Sequence, residues 1–92
     1  MKLVYEYEYN DKKEKIVKKL NESNKYEKIF YDYESSKNFY NLSHSNKTIY
    51  YSKYFKLWVI VIKKWNRKGK LRTFEIYKSY EEPIEISKLN NS

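Results

Sequence analysis

Apolar positions are unevenly spread along the chain, and the densest stretch is Phe55-Lys56-Leu57-Trp58-Val59-Ile60-Val61-Ile62. A second β-rich run, Lys70-Leu71-Arg72-Thr73-Phe74-Glu75-Ile76-Tyr77, follows the turn signal Asn66-Arg67-Lys68-Gly69. Two such runs around a short glycine-containing loop predict a β-hairpin over residues 54–80. Gly69, the only glycine, is expected to supply the left-handed residue that closes it. With Arg67-Lys68-Gly69 as the loop, Lys64 faces Arg72, Ile62 faces Phe74, Ile60 faces Ile76 and Trp58 faces Lys78. That register gathers Ile60, Ile62, Phe74 and Ile76 on one face, a cluster that a one-residue slip would break. Residues 57–62 are apolar on both faces, so the strand is expected to be central. One face should take a helix, and the other should be covered by tyrosines or by a second subunit.

The remaining pattern is simpler. Residues 2–9 alternate, with Leu3, Tyr5, Tyr7 and Tyr9 on one side, which predicts a half-buried strand stopped by Asn10-Asp11. Asp11 and Glu14 have the spacing of a capping box, and a helix over residues 12–22 would turn Ile16, Val17 and Leu20 inward. Its outer face would carry Lys12, Lys15 and Lys19. Residues 26–34 alternate again and predict a strand, residues 34–38 a turn, and residues 39–43 a short returning strand. Ser43-His44-Ser45-Asn46 reads as a polar turn. Residues 48–52 begin a strand kinked near Ser52-Lys53 before it joins the central run. Pro83 confines Ile84-Glu85-Ile86 to an edge position at best. The expected fold is α+β: a single N-terminal helix on a four- to five-stranded antiparallel sheet, in the order β-α-β-β-β, with a prominent C-terminal hairpin. It occupies residues 1–86 as one domain, and residues 87–92 form a frayed tail.

Charge changes the picture. The chain of 92 residues has a formal net charge of +8, carried by lysine except for Arg67 and Arg72. That balance favours an anionic partner, nucleic acid or an acidic protein surface. The ordinary alternative is compositional: Lys, Asn, Tyr and Ile have AT-rich codons, and a low-GC genome, phage or mobile element inflates them without selection for binding. The 12 tyrosines suit half-buried sheet faces and protein interfaces equally. The absence of cysteine excludes a disulfide framework and thiolate zinc, and fits a reducing cytoplasm. No secretory signal is expected at Met1-Lys2-Leu3-Val4, and no apolar run is long enough to cross a bilayer.

The candidate chemistry concentrates at the hairpin tip. Lys63, Lys64, Arg67, Lys68, Lys70 and Arg72 crowd around Trp65 without an intervening carboxylate. Such a tip would neutralise phosphates while the indole stacks on a base. Lysine acts as a point charge, so the site would hold backbone more than read sequence. The same residues also describe a solvated hairpin end with Trp65 packed across from Leu71. Lys12, Lys15 and Lys19 form a secondary basic face, or simply a solvated one. His44, the lone histidine, would need a nucleophile or substrate within hydrogen-bond reach to act as an acid or base, and reads more simply as a turn residue. Carboxylates do not cluster and one glycine cannot make a phosphate loop, so neither a metal nor a cofactor is expected.

In size, charge and helix-plus-sheet build the chain resembles small basic ribonuclease toxins of the RelE type, which cleave RNA with Lys, Arg and Tyr side chains. No motif aligns, the longer helical N-terminal half of such toxins is not expected here, and no residue carries over. The leading expectation is a cytoplasmic, non-enzymatic protein that engages nucleic acid or a nucleoprotein through its Lys/Arg/Trp tip. The alternative is a phage or mobile-element inhibitor of a host defence nuclease, an anti-CRISPR or similar protein, binding through its tyrosine-rich surface. A ribonuclease toxin comes third, and a homodimer is compatible with all three.

Overall fold

The computed structural model describes residues 2–37, 42–65 and 71–90. Its elements run in the order α1 (Lys2–Glu22), β1 (Glu27–Lys37), β2 (Leu42–Ser52), β3 (Leu57–Trp65), β4 (Leu71–Ser79) and α2 (Ile84–Asn90). The four strands form one antiparallel sheet in the order β1-β2-β3-β4. This is an α+β fold with β3 internal, but the element order is α-β-β-β-β-α.

Residues 2–9, expected as a strand, are the first half of α1, which is 21 residues long. Neither Asn10 nor Asp11 is a Gly or Pro, and extending an existing helix adds a hydrogen bond for each residue fixed. Asp11 and Glu14 therefore lie inside the helix and cap nothing. The N-terminal helix is thus longer than the expected residues 12–22, though at 21 residues of 92 it does not make the N-terminal half helical. The expected turn at residues 43–46 is also absent. β2 runs unbroken from Leu42, paired with β1 on one side and β3 on the other, and two ladders outweigh the turn preference of Ser, His and Asn. β1 likewise continues to Lys37 through the expected turn at 34–37, and residue 38 of that turn and most of the expected strand at 39–43 fall outside the described residues.

The kink near Ser52 is a chain reversal. Ser52 and Leu57 pair across a four-residue turn, and the Phe55 amide donates to Ser52 Oγ at 3.0 Å. Lys56 closes the turn with φ 55°, a left-handed conformation that disfavours a side-chain-bearing residue. Gly69, expected in that role, lies outside the described residues.

The β3–β4 register is shifted by one from the expected one: Ile62 pairs with Glu75, Val61 with Ile76 and Ile60 with Tyr77. A bulge at Arg72 absorbs the difference, so Trp65 still faces Leu71 near the tip. Because Val59-Ile60-Val61-Ile62 is apolar on both faces, either register buries branched side chains, and alternation could not choose between them. In the observed one, Val59, Val61 and Phe74 join Tyr50 and Leu20 in the core beneath α1, with Val17 and Ile76 packed against them. The Tyr50 hydroxyl donates to Asn21 Oδ1 at 2.7 Å, and Lys13 Nζ donates to the Phe74 carbonyl. These contacts place α1 obliquely across the face, from Tyr50 in β2 to Phe74 in β4.

The opposite face carries Ile49, Ile60 and Ile62, and a second helix lies against it. Lys47, on that face by register, donates to Glu85 Oε1 of α2 at 2.6 Å, and Ile86 is buried. Residues 84–86 are thus helical, and residues 87–90, expected in a frayed tail, complete α2. Pro83 precedes the helix, where a missing N–H costs nothing, and its carbonyl accepts from the Ile86 and Ser87 amides. No helix among the described residues is long and apolar enough to cross a membrane.

Candidate nucleic-acid interface

Of the seven expected tip residues, Lys63, Lys64 and Trp65 have described side chains; Arg67, Lys68 and Lys70 lie outside the described residues, as does the Arg72 side chain. The three do not share a face. Strand alternation turns Lys63 and Trp65 toward the α1 side and Lys64 toward the α2 side. Lys63 Nζ sits 4.7 Å from the Phe74 ring centroid, a cation–π contact. Lys64 is exposed and borders a shallow recess with Lys47, Asp32, Glu34 and Glu85. Trp65 is half-buried, next to Leu71, which packs on the core. The described part of the tip is therefore divided between two surfaces.

What the structure adds is a set of aromatic side chains on the α1 side. Across the ladders, His44 pairs with Trp65, Asn46 with Lys63 and Tyr33 with Asn46. Tyr33 and His44 are stacked at 5.8 Å and 24°, and the Tyr33 hydroxyl lies 2.5 Å from His44 Nδ1. Tyr31, two residues earlier on β1, shares this face and is 57% exposed; Tyr33 is 52% exposed. The oblique course of α1 leaves this corner uncovered. Tyr31, Tyr33, His44 and Trp65 thus come together from three strands at the end of the sheet where Lys63 lies.

Sequence reasoning missed His44 as the cross-strand partner of Trp65, and Tyr31 and Tyr33 as residues of the same face. The signal was present in the alternation of Tyr31 and Tyr33, but it could be used only once residues 43–46 were recognised as strand. Lys12, Lys15 and Lys19 are exposed on α1, away from the core. Among the described residues no three His, Cys, Asp or Glu side chains gather as a metal site.

Among the described residues, three groups have displaced titrations. Burial pushes the Tyr50 hydroxyl up. The hydrogen bond to Glu75 raises Tyr77, and the bond from Lys47 holds Glu85 below its ordinary range. None lies in the aromatic corner. No family model, curated protein or solved structure matches this chain.

Proposed function

We propose that the chain is a non-enzymatic nucleic-acid-binding protein that stacks unpaired bases on the open corner of its sheet. Tyr31, Tyr33, His44 and Trp65 form the stacking surface, and Lys63, with the cations of the β3–β4 connection, neutralises the backbone. The observation that carries this reading is the convergence of half-exposed aromatics from β1, β2 and β3 on one face. Paired bases present only their edges, so a stacking surface selects single strands. Each stacked base contributes ~1–3 kcal/mol with little sequence preference. Lysine adds charge without the bidentate geometry that reads a base.

A second reading is favoured by the spread of exposed tyrosines beyond that corner, Tyr54, Tyr77 and Tyr80 among them. A protein-directed inhibitor of a host defence nuclease would use such a surface, since tyrosine offers large contact area with few rotors.

Fluorescence anisotropy with a labelled single-stranded oligonucleotide separates the two. Binding should weaken steeply as salt rises. Tyr33→Ala should weaken it by roughly five-fold or more, the lower bound for one lost stacking contact, while Tyr80→Ala leaves it unchanged. Failure to bind any strand at low salt, or equal binding by Tyr33→Ala, would overturn the nucleic-acid reading and favour the inhibitor.

A further inference from the structure

The end of the sheet remote from Trp65 holds a second gathering of aromatic and basic side chains, separate from the proposed stacking corner. The α1–β1 connection and the β2–β3 turn flank a solvent-open cleft of about 700 Å³. This is within the range of ~300–1,000 Å³ typical of small-ligand pockets. Tyr26, Tyr51 and Tyr54 line it together with Lys25, Lys53 and Glu27. Tyr51 is braced from behind by Trp58, the rings 4.5 Å apart, and Phe55 packs edge-on against Tyr54 at 4.7 Å.

Lys25 is the unusual member. Its ammonium sits 4.4 Å from the Tyr54 ring centroid and 5.5 Å from that of Phe55, so ring faces hold it in position. The ion pairs between described side chains are Lys18–Glu22 and Lys47–Glu85, which include neither Lys25 nor Lys53. Two cations therefore stand at a cleft walled by tyrosine rings, and Glu27 supplies an acceptor for hydroxyl or amino groups.

We infer that this cleft binds a nucleotide: the ring against the tyrosine wall formed by Tyr26, Tyr51 and Tyr54, where Phe55 already fills the space between Tyr26 and Tyr54, the phosphate at Lys25 and Lys53, and a sugar hydroxyl or ring amino group donating to Glu27. An apolar side chain would leave both lysines unanswered, and a bare phosphate would not use the rings. The same chemistry is offered by a free nucleotide and by the 5′-phosphorylated end of a strand.

The test is a ¹H–¹⁵N NMR titration of the full chain with adenosine 5′-monophosphate, against adenosine and ribose 5-phosphate. The nucleotide should shift the amides of residues 24–27 and 51–54 saturably, and each fragment should bind about ten-fold more weakly. Lys25→Ala and Tyr54→Ala change exposed side chains, so spectra should stay folded while affinity falls at least about five-fold. Tyr33→Ala should bind the nucleotide normally even if it abolishes strand binding, which keeps the two sites distinguishable. Competition by a 5′-phosphorylated oligonucleotide, but not its 5′-hydroxyl form, would assign the strand end; no competition by either would assign the free nucleotide. Absence of saturable shifts up to about 10 mM, or unchanged affinity in Lys25→Ala, would overturn the site.

Discussion

The bond between Tyr50 and Asn21 joins α1 to the sheet, and its two halves should respond unequally to removal. Tyr50 is 2% exposed, and its hydroxyl donates at 2.7 Å to the amide oxygen of Asn21, whose residue is exposed. In Tyr50→Phe the Asn21 oxygen recovers a water, so the loss should be that of one ordinary hydrogen bond, about 0.5–1.5 kcal/mol. In Asn21→Ala the hydroxyl stays behind without its acceptor, which costs about 1–3 kcal/mol. Alanine returns roughly 0.5 kcal/mol of helix propensity, leaving a net loss of about 0.5–2.5 kcal/mol. The double variant should be little worse than Tyr50→Phe alone, because no hydroxyl remains to be orphaned. Urea unfolding of the four proteins gives the coupling. A cycle additive within ~0.3 kcal/mol, or a neutral Asn21→Ala, would refute the argument that this bond holds helix to sheet. Titration supplies an independent check. Burial raises the folded hydroxyl above its ordinary value of 10.0, so its contribution is complete below that pH and is lost as pH climbs through the folded value. Tyr50→Phe should remove that part of the alkaline destabilisation.

Two further outcomes follow from local geometry. Lys56→Gly should stabilise the chain by about 0.5 kcal/mol: removing Cβ relieves a left-handed cost of about 1–2 kcal/mol, offset by the greater entropy of unfolded glycine. A lower thermal midpoint in that variant would contradict the observed turn. The depressed titration of Glu85 means that its ion pair with Lys47 contributes above the ordinary value of 4.5 and is lost as pH falls through the lower, folded value. Glu85→Gln should therefore flatten the acid side of the stability profile and speed amide exchange in α2, with a cost of up to about 1 kcal/mol at neutral pH; an unchanged profile would dissociate the pair from α2 docking.

The parts of the fold legible in the sequence were those where period and length agreed. Residues 12–22 carry Val17 and Leu20 at helical spacing, and residues 26–34 alternate over a full strand length. The failures share a physical origin: a local signal was overruled by what surrounds it. Tyr5, Tyr7 and Tyr9 alternate like a strand, yet they continue into a helix with nothing to break it. Ser43-His44-Ser45-Asn46 has turn chemistry, yet two neighbouring strands claim its backbone. Pro83 in the sequence disfavours a central strand, while its fixed φ and missing donor equally suit the residue leading into a helix. At the candidate interface the prominence of Trp65 was readable from composition. The stacked pair Tyr33 and His44 on the same face was not, because their meeting depends on a β1–β2 register that no residue announces.

The outer margins of the sheet differ in what they can accept. At β4, Lys13 of α1 already occupies the Phe74 carbonyl, which stands in the way of an incoming extended chain. Among the described residues, no side-chain bond like that of Lys13 reaches the backbone of β1. The bulge between Lys28 and Phe30 disrupts its lower half, leaving residues 30–37 as the regular segment. An extended peptide would lengthen the sheet there by backbone pairing, so strand addition would proceed from the β1 side.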